Sequence, residues 1–123
     1  MAFTNKSIPG NYVDDEGYDE AVTNVVQYDV NNATGRLVAI KCDNSAVGAT
    51  TWLRLYDLGV GVTLGMTAIH MLIPVPASTN FEMLFLTDAP NFATAVDIAA
   101  VAVPGESLTT APGSAVPVRL LTT

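Results

Sequence analysis

Positive charge is scarce in this sequence. Five lysines and arginines stand against twelve aspartates and glutamates, for a net charge of −7. A nucleic-acid-binding face neutralises phosphates with clustered cations. Five cations scattered from Lys6 to Arg119 do not form such a face, so no nucleic-acid partner is expected. The same shortage argues against an anionic membrane surface. Cysteine occurs once, as Cys42, which excludes an internal disulfide. Its position in Leu37-Val38-Ala39-Ile40-Lys41-Cys42 reads as a small buried hydrophobe. Histidine also occurs once. Strand alternation groups His70 with Ala68 and Leu72, not with a catalytic partner, although it is the one side chain ordinarily poised to titrate near neutrality.

Long apolar runs are missing too. The most hydrophobic stretch, residues 58–76, is interrupted by Gly59, Gly61, Gly65, His70, Pro74 and Pro76. A membrane helix needs about twenty uninterrupted apolar residues, so no membrane span is expected. Residues 1–10 lack the apolar centre of a secretory signal. Nor is there a nucleophile elbow, a phosphate-binding loop or a paired-histidine zinc motif. Gly59-Val60-Gly61 begins a dinucleotide fingerprint but lacks the third glycine. The acidic run at 14–20 and the segment 29–35 both miss the calcium-loop spacing. The expectation is a non-enzyme with no catalytic residues, cofactor or metal.

What the chain does contain is apolar residues. Half of its 123 residues are hydrophobic and the mean hydropathy is +0.36, far from the composition of disorder. The length suits one domain able to bury roughly two-thirds of its unfolded surface. Charge is unevenly spread, with twelve of the seventeen charged residues in positions 1–57 and five in 58–123. Five acids crowd the seven positions from Asp14 to Glu20. Such a run repels itself, which points to an extended N-terminal arm over residues 1–20 with the domain body at 21–123.

The body reads as strands at residues 22–29, 36–43, 50–57, 66–75, 81–86, 92–103 and 116–121, separated by Gly, Pro, Asn and Asp. A helix competes for 92–103 because alanine is abundant. Val96, Ile98, Val101 and Val103, flanked by Pro90 and Pro104, favour a strand. Seven short strands with such turns indicate an all-β fold, a single antiparallel β-sandwich of jelly-roll or immunoglobulin-like Greek-key type. In residues 50–57, Leu53 and Leu55 face one way. Trp52, Arg54 and Tyr56 face the other, and these are types enriched at binding hot spots. The competing reading places Trp52 and Tyr56 over a second core layer. Pro74 and Pro76 remove backbone donors, which places 73–76 at a sheet edge.

Trp52-Leu53-Arg54-Leu55-Tyr56-Asp57, Val62-Thr63-Leu64-Gly65-Met66-Thr67, Ile73-Pro74-Val75-Pro76-Ala77 and Phe92-Ala93-Thr94-Ala95-Val96-Asp97-Ile98-Ala99 follow one another in order. Over residues 50–103 this resembles small structural proteins of tailed-phage virions. Ala95 departs from the glycine of that pattern, and Val62 from its proline. The resemblance implies a virion protein assembled in the bacterial cytoplasm, foremost a capsid decoration (cement) protein on the major capsid protein lattice. A tail, vertex or head-fibre subunit is the alternative. The charge-poor second half suggests burial between copies, with a homo-oligomer, a trimer, as the expectation. Interface residues are then expected at Asp14, Asp15, Glu16, Tyr18, Trp52, Arg54, Tyr56, Pro74, Pro76 and Arg119. A carbohydrate-binding sandwich using Trp52 and Tyr56 as stacking platforms is the reading from another class.

Overall fold

The computed structural model describes residues 4–7, 15–30, 35–85, 87–105 and 107–123. The chain is all-β, two antiparallel sheets packed against each other. The strands are β1 (Thr4–Ser7), β2 (Asp15–Val22), β3 (Gly35–Asp43), β4 (Thr51–Tyr56), β5 (Met71–Val75), β6 (Asn80–Leu84), β7 (Asn91–Phe92), β8 (Asp97–Val101) and β9 (Val116–Thr122). The larger sheet runs β1-β2-β9-β3-β6, with β7 also pairing with β3. The smaller runs β5-β4-β8.

Alternation sorts the side chains between the sheets. Val116, Val118 and Leu120 of β9 meet Leu53 and Leu55 of β4, Ile73 and Val75 of β5, and Ile98 and Ala100 of β8 in one core. Leu37, Ile40 and Cys42 join from β3. A register shift between Leu37 and Ala39 brings Leu37 and Ile40, of opposite parity, to the same side. Cys42 is fully buried. Desolvation and the neighbouring Asp43 charge push its thiol up to about 12, as suits a small core hydrophobe.

The arm expected at residues 1–20 needs correction over its described part. Asp15–Val22 is a strand inside the larger sheet, paired with β1 on one side and β9 on the other. Its charges are sorted by alternation. Glu16 and Tyr18 turn outward, where Arg119 meets both, while Gly17 turns inward against the Val30 carbonyl and Leu120. Asp19 is buried, and its Oδ1 accepts the Ala21 N–H at 2.9 Å where the β2–β9 register shifts. Asp14 lies outside the described residues.

Two further strands are shorter than expected. The expected strand 66–75 is regular only over Met71–Val75, because residues 63–67 turn, with the Thr67 and Met66 N–H groups both donating to the Thr63 carbonyl. Residues 92–103 divide into Phe92 of β7 and Asp97–Val101 of β8. The helix alternative is excluded there. Residues 23–30 make no regular strand but run along β8. Gln27 exchanges both backbone hydrogen bonds with Ile98, Val30 N–H donates to the Val96 carbonyl, and Ala100 N–H donates to the Thr23 carbonyl. This covers the β8 edge. At the opposite edge stands β5, where Pro74 is the register partner of Trp52. Its missing donor leaves that edge unsuited to further pairing. No helix among the described residues is long and apolar enough to cross a membrane.

Candidate interaction surface

Strands β4 and β8 of the smaller sheet are covered on both faces. All of β8 and all of β4 except Trp52 are buried. Their outward residues, Trp52, Arg54 and Tyr56 on β4 and Asp97, Ala99 and Val101 on β8, pair across the strands beneath a layer of loops. Arg54 moors that layer. Its side chain is 0% exposed, and Nη2 donates to the carbonyls of Gly105 and Leu108 at 2.6 Å each and of Val103 at 3.3 Å. Three main-chain oxygens thus receive the charge.

Two aspartates tie the remaining loops. Asp97 is 0% exposed. Its Oδ2 accepts the N–H groups of Leu58 and Gly59 at 2.9 and 2.8 Å, and its Oδ1 accepts that of Asp29 at 3.0 Å. Asp57 accepts the N–H groups of Ala93, Thr94 and Ala95 at 2.9, 2.7 and 3.0 Å. Desolvation opposes its charge, but those hydrogen bonds and the charge of His70 outweigh it and hold the carboxyl below its usual range. Sequence reasoning missed both residues. Their signal was isolation, since Asp97 is one of only five charged residues after position 57.

Three segments interlock above the sheet. Tyr28 OH donates to the Val62 carbonyl at 3.1 Å and accepts the Val62 N–H at 3.0 Å. Asn24 Nδ2 donates to the Thr109 carbonyl at 2.8 Å, and Gly65 lies against Thr109 and Ser107. Residues 23–30, 58–70, 103–105 and 107–110 therefore form one continuous layer. Its outside carries large apolar side chains among smaller polar ones such as Thr63, Ser107 and Thr109. Val25, Tyr28, Leu58, Val60, Met66 and Leu108 are exposed, with Val60 at 76% and Met66 at 84%, and Leu72 of β5 adjoins them. Only Leu84, on the other sheet, is an exposed large hydrophobic residue elsewhere among the described residues.

The expected interface residues divide into three groups. Arg54 and Tyr56 are buried, so they are not contact residues. This corrects the hot-spot reading of Trp52, Arg54 and Tyr56 and removes Tyr56 as a sugar-stacking platform. Leu53 and Leu55 do face the opposite way, but the loop layer, not solvent, receives the outward side. Trp52 is half-buried, while Pro74 and Pro76 are exposed along the β5 edge. Glu16, Tyr18 and Arg119 gather on the outer face of the larger sheet. Arg119 Nε lies 3.1 Å from Glu16 Oε1, and the guanidinium stands 4.8 Å from the Tyr18 ring centre. Asp15 pairs with Ser7 and Thr122 in that sheet.

His70 is exposed at the edge of the layer, with Nε2 3.0 Å from the Asn91 carbonyl and its ring edge-on to Phe92 at 4.8 Å. A shallow hollow of about 340 Å³ lies beside it, lined by Asp57, Leu58, Thr67, Ala68, Ile69 and His70. Because Asp57 is occupied by three backbone N–H groups, this is a structural constellation. Among the described residues no three His, Cys, Asp or Glu side chains stand close enough to hold a metal ion. No known protein family matches the chain, and no characterised protein or solved structure does so either.

Proposed function

We propose that this protein is a non-catalytic structural subunit of a tailed-phage virion, a decoration protein that binds and stabilises the major capsid protein lattice. The observation that carries the reading is the loop layer, which carries six of the eight exposed large hydrophobic side chains among the described residues. A monomer leaves such a patch to water at a cost, whereas a partner subunit covers it. The layer is also poor in charge. Among its described residues the only Asp, Glu, Lys, Arg or His side chains are Asp29 and His70, on a chain of net charge −7. Acidic subunits packed at lattice density repel one another, and a nearly uncharged contact face limits that repulsion. The order of the motifs over residues 50–103 points the same way, since they build β4, β5, β8 and the loops between them.

The test is stoichiometry in purified particles, followed by rebinding to particles stripped of this protein. A copy number comparable with that of the major capsid protein supports the lattice position. A few copies per particle would move the protein to a tail or vertex, and absence from particles would overturn the reading. In the rebinding assay, the double variant Val60→Ser, Met66→Ser should fold normally and bind far more weakly. Unchanged binding would remove the loop layer as the contact face.

A further inference from the structure

The two sheets end in β1, β6, β5 and β8, and the chain treats these edges unequally. Residues 23–30 cover β8, through the paired Gln27 and Ile98 hydrogen bonds and the Ala100 N–H to the Thr23 carbonyl. Pro74 sits within β5 and cannot donate to a further strand. The β1 segment is Thr-Asn-Lys-Ser, polar and carrying Lys6, a composition that discourages pairing. The β6 edge has no such protection. Its sequence, Asn-Phe-Glu-Met-Leu, contains no proline, and its register against β3 runs unbroken from Asn80 to Leu84. Its single charge, Glu82, is met by Lys41 Nζ at 3.0 Å.

The hydrogen bonds of β6 show which of its backbone groups are open. Phe85 N–H donates to the Val38 carbonyl and Asn44 N–H to the Thr79 carbonyl, each at 2.8 Å. Odd-numbered residues therefore turn their backbone groups to β3. Alternation turns those of Asn80, Glu82 and Leu84 to the open side, where no described strand pairs with them. The side chains alternate too. Asn80, Glu82 and Leu84 are exposed on the outer face. Phe81, Met83 and Phe85 pack against the core but are only partly buried. Leu84, at 56%, is the one exposed large hydrophobic side chain of the larger sheet among the described residues.

We infer that β6 pairs antiparallel with β6 of a second copy of this chain, about a two-fold axis at Met83. Glu82 then faces the second copy's Leu84, and Leu84 faces its Glu82. Both pairs exchange two backbone hydrogen bonds, because these residues hold the open groups. On the inner face Phe81 meets the second copy's Phe85, and aromatic pairs directly opposite one another stabilise a sheet. An axis at Glu82 would instead set like charges opposite each other. A second copy fits because an isologous contact needs only a patch complementary to itself. Here Leu84 lies diagonal to its own equivalent across the axis, within reach of a long side chain. The pairing uses no residue of the loop layer and does not rest on the capsid reading. It makes the assembly two-fold, in place of the trimer expected from composition.

Sedimentation equilibrium of the full chain should show monomers in exchange with dimers. Leu84→Pro removes an open donor and the exposed side chain while leaving every β3 hydrogen bond in place, and Leu84→Ser removes the side chain alone. The dissociation constant should rise by about tenfold or more in Leu84→Pro and by a smaller factor in Leu84→Ser, with circular dichroism unchanged. Val60→Ser, Met66→Ser should dimerise as wild type does, which separates the edge from the loop layer. Mild oxidation reads the register. Met83→Cys should give a disulfide-linked dimer, because Cα atoms of such a directly opposed pair stand about 4.5 Å apart, and Glu82→Cys should not. Cys42 is buried and stays silent. A chain still monomeric at about 1 mM would overturn the second copy as occupant and leave the edge to a strand of another protein. A dimer that survives Leu84→Pro, or one that Val60→Ser, Met66→Ser abolishes, would also overturn the inference. So would cross-linking through Glu82→Cys in place of Met83→Cys.

Discussion

Replacing Arg54 with methionine isolates the contribution of one buried cation to a surface it never reaches. The substitution keeps an unbranched, apolar stem at a position that is 0% exposed and removes the donors to three carbonyls. The two bonds at 2.6 Å are charge-assisted and contribute about 1.5–3 kcal/mol each, or about 3–6 kcal/mol together. Two effects reduce that sum. Burying the guanidinium carries a desolvation cost that the variant escapes, and Gly105 and Leu108 are exposed enough for their carbonyls to regain water. A net loss of about 2–4 kcal/mol remains, which at about 4 °C per kcal/mol for a chain of this length lowers Tm by about 8–16 °C.

Calorimetry measures the total, and hydrogen exchange locates it. Ala102 N–H and Leu108 N–H, which donate to Thr110 and Gly105, should exchange markedly faster in Arg54→Met, while Ile40 and Leu120 in the larger sheet change only with global stability. A Tm within about 2 °C of wild type would refute the mooring role. So would a large loss of Tm without selective exposure of residues 102–110, because Arg54 would then be acting as core packing alone.

Three other perturbations test other parts of the fold. Asp57 has its carboxyl held below the usual range, so its contribution is complete above the unfolded value of about 4 and is lost as pH falls through the lower folded value. Urea unfolding of Asp57→Asn should therefore show a shallower loss of stability below about pH 4 than wild type, and parallel curves would exclude the Ala93–Ala95 clamp as the cause. Cys42, buried and pushed up to about 12, should resist aromatic disulfide reagents at pH 8 in the native state and react promptly in denaturant; fast native labelling would mean that the sandwich opens readily. Gly17→Ala places a methyl against the Val30 carbonyl and should cost about 1–3 kcal/mol in denaturant unfolding, and a neutral result would show that residues 23–30 shift easily.

Strand positions were legible where alternation ran uninterrupted. Leu53 and Leu55 against Trp52, Arg54 and Tyr56 gave β4, the strand expected at 116–121 is β9 (Val116–Thr122), and Pro74 marked an edge that β5 occupies. Failures came where a side chain's fate depends on distant chain. The sequence around Arg54 says which way it points but not that Val103, Gly105 and Leu108 will fold over it, and a cation is normally read as solvent-seeking. The acidic run was misread for a related reason. Repulsion among Asp15, Glu16, Asp19 and Glu20 is a local quantity, whereas Arg119, which meets Glu16, lies about a hundred residues away in the chain.

That separation explains how an apolar layer can stand over a polar underside. A sheet face covered by loops must satisfy the loops' backbone groups without strand pairing. Three charged side chains do much of this here. Arg54 takes carbonyls, while Asp57 and Asp97 take N–H groups. With those main-chain groups satisfied from below, the side chains above them are released from that task, and Val60 and Met66 project into solvent. Substituting the exposed residues should therefore alter association with little effect on stability. Substituting Arg54 or Asp97 should disturb both together, and the contrast between the two classes of variant distinguishes a presented surface from an incompletely buried core.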